Sequence, residues 1–280
     1  MAVESIGLSE THLEHFSSHG YVVVEDVLDP TRDFEPLLAD YSELINQVAR
    51  AMLSRGEIAD YDPLGSLQQR LIKIIRQVGQ MYIQPFDISL PQKDIKTDTP
   101  MYLGKPAFDL IKHPALLDLI ESIIGPEIFS NPIQHIRIKA PQNIVDSNLL
   151  ASSTTTSQAG ENVGTTTPWH QDSGVATDNA DATEVISVWV PLVNVDEYSG
   201  CLAIMPSSHL EGLRLHCPRT AALTIPDELL PTGKMTPIPM RAGSVLIFSR
   251  FTVHRAMPNL SDRVRFSFDF RYQRPDQPTG

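Results

Sequence analysis

The stretch Val264-Arg265-Phe266-Ser267-Phe268-Asp269-Phe270-Arg271-Tyr272 alternates without a break. Successive side chains of a strand point to opposite faces. Val264, Phe266, Phe268, Phe270 and Tyr272 therefore share one face, and Arg263, Arg265, Ser267, Asp269 and Arg271 share the other. In a two-sheet barrel the apolar face would pack on a helical layer. The polar face of so hydrophobic a strand suggests a polar cavity, with solvent as the plainer alternative.

Further strands lie upstream. Gly243-Ser244-Val245-Leu246-Ile247-Phe248 is a turn followed by a buried run, and Val185 to Val195 is β-branched and aromatic. Ile133 to Lys139 alternates like the last strand. Between these, Asp146 to Thr167 is rich in Ser, Thr, Gly and Asn and reads as a mobile loop placed to act as a lid.

The front of the chain is helical by the same reasoning. Thr11 and Glu14 have capping-box spacing before a short helix that Gly20 can end, and Tyr21-Val22-Val23-Val24 reads as a strand. Leu37, Tyr41, Leu44, Ile45, Val48 and Met52 recur at helical spacing between Pro36 and Arg55, with Gly56 as the stop. Leu67, Leu71, Ile74, Ile75 and Val78 make a second such pattern, and Pro114 to Gly125 a third. Phe86 to Pro100 has no clear period. Helices first and strands later predict an α+β protein with a sandwich or jelly-roll core. No repeat or linker divides the chain. It reads as one domain, 1–280, with a helical front (1–130), a barrel core (131–274) and the loop at 146–167.

With 280 residues, 41% of them hydrophobic, the chain can bury a large core without staples. A net charge of −12 and no basic stripe argue against nucleic acid. No apolar stretch is long enough to span a bilayer. No signal peptide is visible after Met1, and two cysteines, Cys201 and Cys217, are too few for a disulfide framework, so a cytoplasmic location is expected.

The chemistry centres on Trp169-His170-Gln171-Asp172. At a strand end, residues i and i+2 project to one side, so an imidazole and a carboxylate can grip one metal ion. Two His and one carboxylate with three open positions is the arrangement of non-haem Fe(II) oxygenases. Nine histidines are present, so eight besides His170 compete for the third place. His12, His15 and His19 fall on a helix that looks solvated, His113 at a helix start, and His209 and His216 in turns or irregular chain. His135 alternates on a strand and remains an alternative. His254 closes the run that begins at Gly243, where a buried strand would hold it rigidly. Arg265, eleven residues on, could grip a carboxylate by two parallel hydrogen bonds, and Ser267 on the same face could add a hydroxyl.

In this order the motifs resemble the phytanoyl-CoA dioxygenase family of Fe(II)/2-oxoglutarate-dependent oxygenases. The similarity runs through Phe16 to Val24, Leu119 to Pro126, His170-Gln171-Asp172, Asn194, Ser199-Gly200-Cys201-Leu202, Pro206-Ser207-Ser208-His209, Gly243 to Phe248, His254, Asn259 and Arg265. The resemblance implies a double-stranded β-helix core flanked by N-terminal helices. It implies catalytic Fe(II) on His170, Asp172 and His254, O2 as co-substrate, and 2-oxoglutarate with its distal carboxylate on Arg265. Lys139 and Trp189 stand where members often place further co-substrate contacts. Ala256 departs from the hydroxyl residue that some members carry two places after this histidine, and His209 falls in a turn that is structural in the family.

The implied reaction oxidises, by hydroxylation or desaturation, a small organic molecule such as a secondary metabolite, releasing succinate and CO2. An acyl-CoA is the alternative substrate, though no basic track for its phosphates stands out. Related halogenases lack the carboxylate of Asp172, so its presence favours oxygen transfer or desaturation. A homodimer is compatible with the chain. The rival reading is a cupin-like metal-binding protein, or a metal-dependent isomerase or hydrolase, that makes no use of 2-oxoglutarate.

Overall fold

A computed structural model describes residues 7–91, 95–145, 167–219 and 222–279. The loop expected at 146–167 lies outside the described residues apart from Thr167. Five α-helices are described: α1 (Glu10–His19), α2 (Glu35–Ser54), α3 (Leu67–Val78), α4 (Lys105–Ile111) and α5 (Pro114–Ile124). The strands are β1 (Tyr21–Val24), β2 (Phe129–Ser130), β3 (His135–Lys139), β4 (Ile186–Pro191), β5 (Leu202–Ile204), β6 (Cys217–Arg219), β7 (Ala222–Thr224), β8 (Thr236–Ile238), β9 (Val245–Ser249), β10 (His254–Ala256) and β11 (Arg265–Gln273).

The expected helices form with small changes at their ends. The cap of α1 is Ser9, whose hydroxyl accepts from the His12 amide, so the Thr11–Glu14 spacing lies inside the helix and makes no capping box. The capping box is instead at α3, between Ser66 and Gln69. Helix α4 follows the segment without clear period and buries only Ala107 and Leu110, too few positions to show helical spacing. The three α1 histidines are half-buried, not solvated, and the rings of His15 and His19 stack 4.3 Å apart.

The larger sheet is antiparallel and runs β1-β9-β4-β11-β2, with β3 also paired to β11. Its centre is β11, which pairs with β4 along one edge and with β3 and then β2 along the other. Strand β1 comes from the helical front, so that front contributes an edge to the sheet. The period of two sorts every residue. Phe266, Phe268, Phe270 and Tyr272 join Val188, Val190, Val245 and Ile247 in one core with α2, α3 and α5. Each such aromatic, taken fully from water, stabilises the fold by about 1.5–3 kcal/mol. The opposite face turns Trp189, Leu246 and Phe248 toward the smaller sheet, β10-β5-β8, where Leu202, Ile204 and Ile238 meet them. Strands β6 and β7 form a separate pair.

One turn ties the two halves of the chain together. Val27 and Leu28 donate to the Gly243 carbonyl at 3.0 and 2.9 Å. Gly243 has φ +93°, and a Cβ there would sit 2.4 Å from the Leu28 carbonyl oxygen. Backbone cannot retreat as a side chain can. Gly243→Ala is therefore expected to lower unfolding free energy by roughly 1–3 kcal/mol in urea titration. An unchanged midpoint would contradict this account of the turn.

Candidate metal centre

The site is built where the two sheets meet. His170 and His254 face each other in an antiparallel bridge, each amide donating to the other's carbonyl at 3.0 Å. His254 does not close the Gly243 strand as expected. A turn intervenes, and His254 opens β10 of the smaller sheet. Ser208 secures that turn by accepting from the Val253 amide at 2.8 Å, which gives the Pro206–His209 motif its structural role. Gln171 is extended and fully buried. Its amide group donates to the carbonyls of Gly212 and Phe251 at 2.8 and 2.7 Å and accepts from the Arg214 amide at 2.8 Å. The residue between the two candidate ligands thus fixes the segment that carries them, and Asp172 opens a short 3-10 turn.

Among the described residues, one group of at least three His, Cys, Asp or Glu has ligand atoms close enough for a metal ion. It is His170, Asp172 and His254, whose ligand atoms lie within 4.8 Å of one another, and all three are buried. Nε2 of His170 and of His254 stand 3.7 and 3.9 Å from Asp172 Oδ1. The Nδ1 atoms point away, to the carbonyls of Pro168 (2.8 Å) and Thr252 (3.0 Å). A carbonyl can only accept, so both Nδ1 atoms carry the proton. Both Nε2 lone pairs are left facing the centre, as a metal ligand requires. Burial and the neighbouring His254 push His170 down to about 3, which keeps its imidazole neutral in ordinary buffers. Burial alone would raise the Asp172 carboxyl, but the Arg271 guanidinium beside it holds it far below the usual carboxylate range.

Arg265, Ser267 and Lys139 form a second polar group. Arg265 and Lys139 are cross-strand partners on β11 and β3, and both are buried. The Arg265 guanidinium lies 5.6 Å from the ring centre of Trp189, which lines the pocket over the triad. Its Nη1 donates to Ser267, while its Nε has no hydrogen-bond partner among the described residues. Burial pushes Arg265 down to about 10, so it stays a cation at neutral pH. Burial and the charge of Arg265 push Lys139 well below the usual lysine range, and its ammonium donates to the Met257 carbonyl. Asn259 explains its place in the motif. Its amide donates to the carbonyls of Lys139 and Arg263 at 2.9 and 2.7 Å and so anchors this corner.

The other histidines are placed elsewhere. His135, the alternative ligand, has Nδ1 2.8 Å from Asp87 Oδ2, away from the triad. His216 accepts from the Gln171 amide at 2.9 Å and supports the site from outside. Sequence reasoning assigned no role to Arg271, Ser187, Arg137 or Asp269. Arg271 forks onto Asp172, Ser187 donates to it, and Arg137 pairs with Asp269 at 2.8 Å in the pocket wall. Arg271 and Asp269 lie on the polar face of β11, so the alternation that located Arg265 also carried their signal. Trp189, Leu202, Phe248 and Ala256 supply apolar lining to the same pocket.

Residues 16–267 match the sequence family described as phytanoyl-CoA dioxygenase. A relative named 1-deoxypentalenic acid 11-beta-hydroxylase, from Streptomyces exfoliatus, is 26% identical over 92% of this chain and 78% of its own. Among solved structures, the epimerase SnoN in complex with Fe3+, alpha ketoglutarate and nogalamycin RO has a TM-score of 0.56 at 20% identity, over 97% of this chain and 86% of that one. EvdO2 from Micromonospora carbonacea var. aurantiaca, complexed with 2-oxoglutarate, has a TM-score of 0.55 at 18% identity, over 98% and 94%. Both are similar in fold.

Proposed function

Because this chain belongs to the phytanoyl-CoA dioxygenase family of Fe(II)/2-oxoglutarate-dependent oxygenases, we propose that it holds Fe(II) on His170, Asp172 and His254 and oxidises a C–H bond of a small organic metabolite. The observation that carries this is the pairing of two features. Three buried ligand atoms converge on one point, and a buried guanidinium beside the pocket wall keeps an Nε that has no partner among the described residues. The first fits a metal ion and the second fits a carboxylate. The two facing antiparallel sheets are read as a double-stranded β-helix within a single domain, and the free Cys201 and Cys217 fit a reducing, cytoplasmic setting.

Bound iron supplies the O2 activation that couples decarboxylation of 2-oxoglutarate to succinate and CO2 with oxidation of the substrate. The chain's own residues do the rest. His170 and His254 offer neutral Nε2 donors held by their Nδ1 hydrogen bonds. Arg265, steadied by Ser267, receives the distal carboxylate of 2-oxoglutarate, with Lys139 and Trp189 around it. Trp189, Leu202, Phe248 and Ala256 keep water from the reacting face and suit an apolar stretch of substrate. The relative's name, a hydroxylase of 1-deoxypentalenic acid, supports a secondary metabolite over an acyl-CoA. Asp172 supports oxygen transfer or desaturation over halogenation.

Anaerobic calorimetry tests the reading. One Fe(II) per chain should bind first, and 2-oxoglutarate should bind strongly only afterwards. Metal binding with no 2-oxoglutarate binding under any loading would favour a metal-binding barrel of another activity. As a control, His135→Ala should leave the metal titration unchanged.

A further inference from the structure

We propose, resting on the metal-centre reading above, that Arg271 and Ser187 are positioning residues that restrict Asp172 to a one-oxygen ligand through Oδ1. An ionised carboxylate offers about four lone-pair directions, two on each oxygen. Oδ2 receives the Ser187 hydroxyl and Arg271 Nε at 3.3 Å, which uses both of its directions. Oδ1 receives Arg271 Nη2 at 2.8 Å and keeps one direction open. Oδ1 is also the oxygen that stands 3.7 and 3.9 Å from the two imidazole Nε2 atoms. The open direction and the two nitrogens therefore belong to the same oxygen.

The clamp is rigid because of where it stands. Arg271 and Ser187 are direct cross-strand partners on β11 and β4, the two central strands of the larger sheet. Both project to the inner face, and Arg271 is tied a third time, through Nη1 to the Ile133 carbonyl at 2.9 Å. Ser187 is buried. A freed carboxylate could turn both oxygens toward the ion and fill one more position. Fewer positions would then remain for ligands from solution, and this chemistry needs three.

Water-proton relaxation of the Mn(II)-loaded protein measures this directly, because it scales with the number of water molecules on the bound ion. With Mn(II) saturating one site per chain, the wild type should show about three waters, from three protein ligands on an octahedral ion. Arg271→Gln should lower the relaxation per bound ion by about a third. Arg271→Lys, which keeps the charge and loses the fork, should fall with it. Ser187→Ala removes only a hydroxyl, and its smaller fall carries the test if the Arg271 variants do not fold. Wild-type relaxation in every folded variant would overturn the proposal and leave the metal centre standing. A wild type that binds no Mn(II), Fe(II) or Co(II) would overturn both.

Discussion

Replacing His170 with alanine is expected to abolish 2-oxoglutarate turnover and to weaken Fe(II) binding by more than about a hundredfold. Loss of a residue that merely orients a ligand costs about 10–100-fold in affinity, and His170 donates the ligand atom itself. The fold should survive. The contacts that fix this segment are main-chain ones, the reciprocal 3.0 Å bonds with His254, together with the buried amide of Gln171. Alanine keeps all of them. Far-UV circular dichroism should therefore match the wild type while anaerobic metal titration shows the loss. A His170→Ala protein that kept full turnover would remove the triad from the account.

Arg265→Ala should produce the second large effect, on a different ligand. The guanidinium is buried beside Trp189, charged at neutral pH, and has Nε unpartnered among the described residues. Truncating one partner of a buried, hydrogen-bonded charge pair costs about 2–5 kcal/mol, between roughly thirtyfold and several-thousandfold in affinity. The dissociation constant for 2-oxoglutarate should rise by that factor, and Fe(II) affinity should change by less than about threefold. The split is the informative part. Equal losses of metal and 2-oxoglutarate binding would point to a damaged fold instead of a lost carboxylate contact.

The contrast between these two residues and Arg271 shows what the sequence could and could not reveal. Elements with a sustained period were readable, because burial of one face forces the period. Helices α2, α3 and α5 and strands β3 and β11 fall close to where alternation or helical spacing puts them, and β9 close to where its unbroken apolar run puts it. Strands β5, β8 and β10 have three residues each, too few to display a period. That is why sequence pattern alone puts His254 at the end of the β9 run, whereas it opens β10 of the other sheet. Helix α4 escaped because so little of it is buried, and the α1 cap was displaced by two residues because Ser9 competes with Thr11 for the same task.

The candidate ligands could be chosen because metal chemistry narrows the residue types and motif order narrows the positions. The clamp on Asp172 had no such constraint. Arg271 was visible on the polar face of β11, but only the pairing of β11 with β4 sets it opposite Ser187 and over the carboxylate. Register between strands distant in sequence is not written in either strand alone. For the same reason Gln171, the unremarkable residue of His-x-Asp, proved to be the one that pins the motif to residues 212, 214 and 251.

The most direct test of the central claim follows the fate of 2-oxoglutarate. Protein purified without oxygen, loaded with one equivalent of Fe(II) and given 2-oxoglutarate, with ascorbate supplying the two electrons that a substrate C–H bond would otherwise give, should form succinate and CO2 in equal amounts when O2 is admitted. It should form neither without O2, without Fe(II), or with Zn(II) in its place. Formation of succinate and CO2 under only the first condition is the result the account predicts. Intact 2-oxoglutarate in the presence of bound Fe(II) and O2 would contradict it.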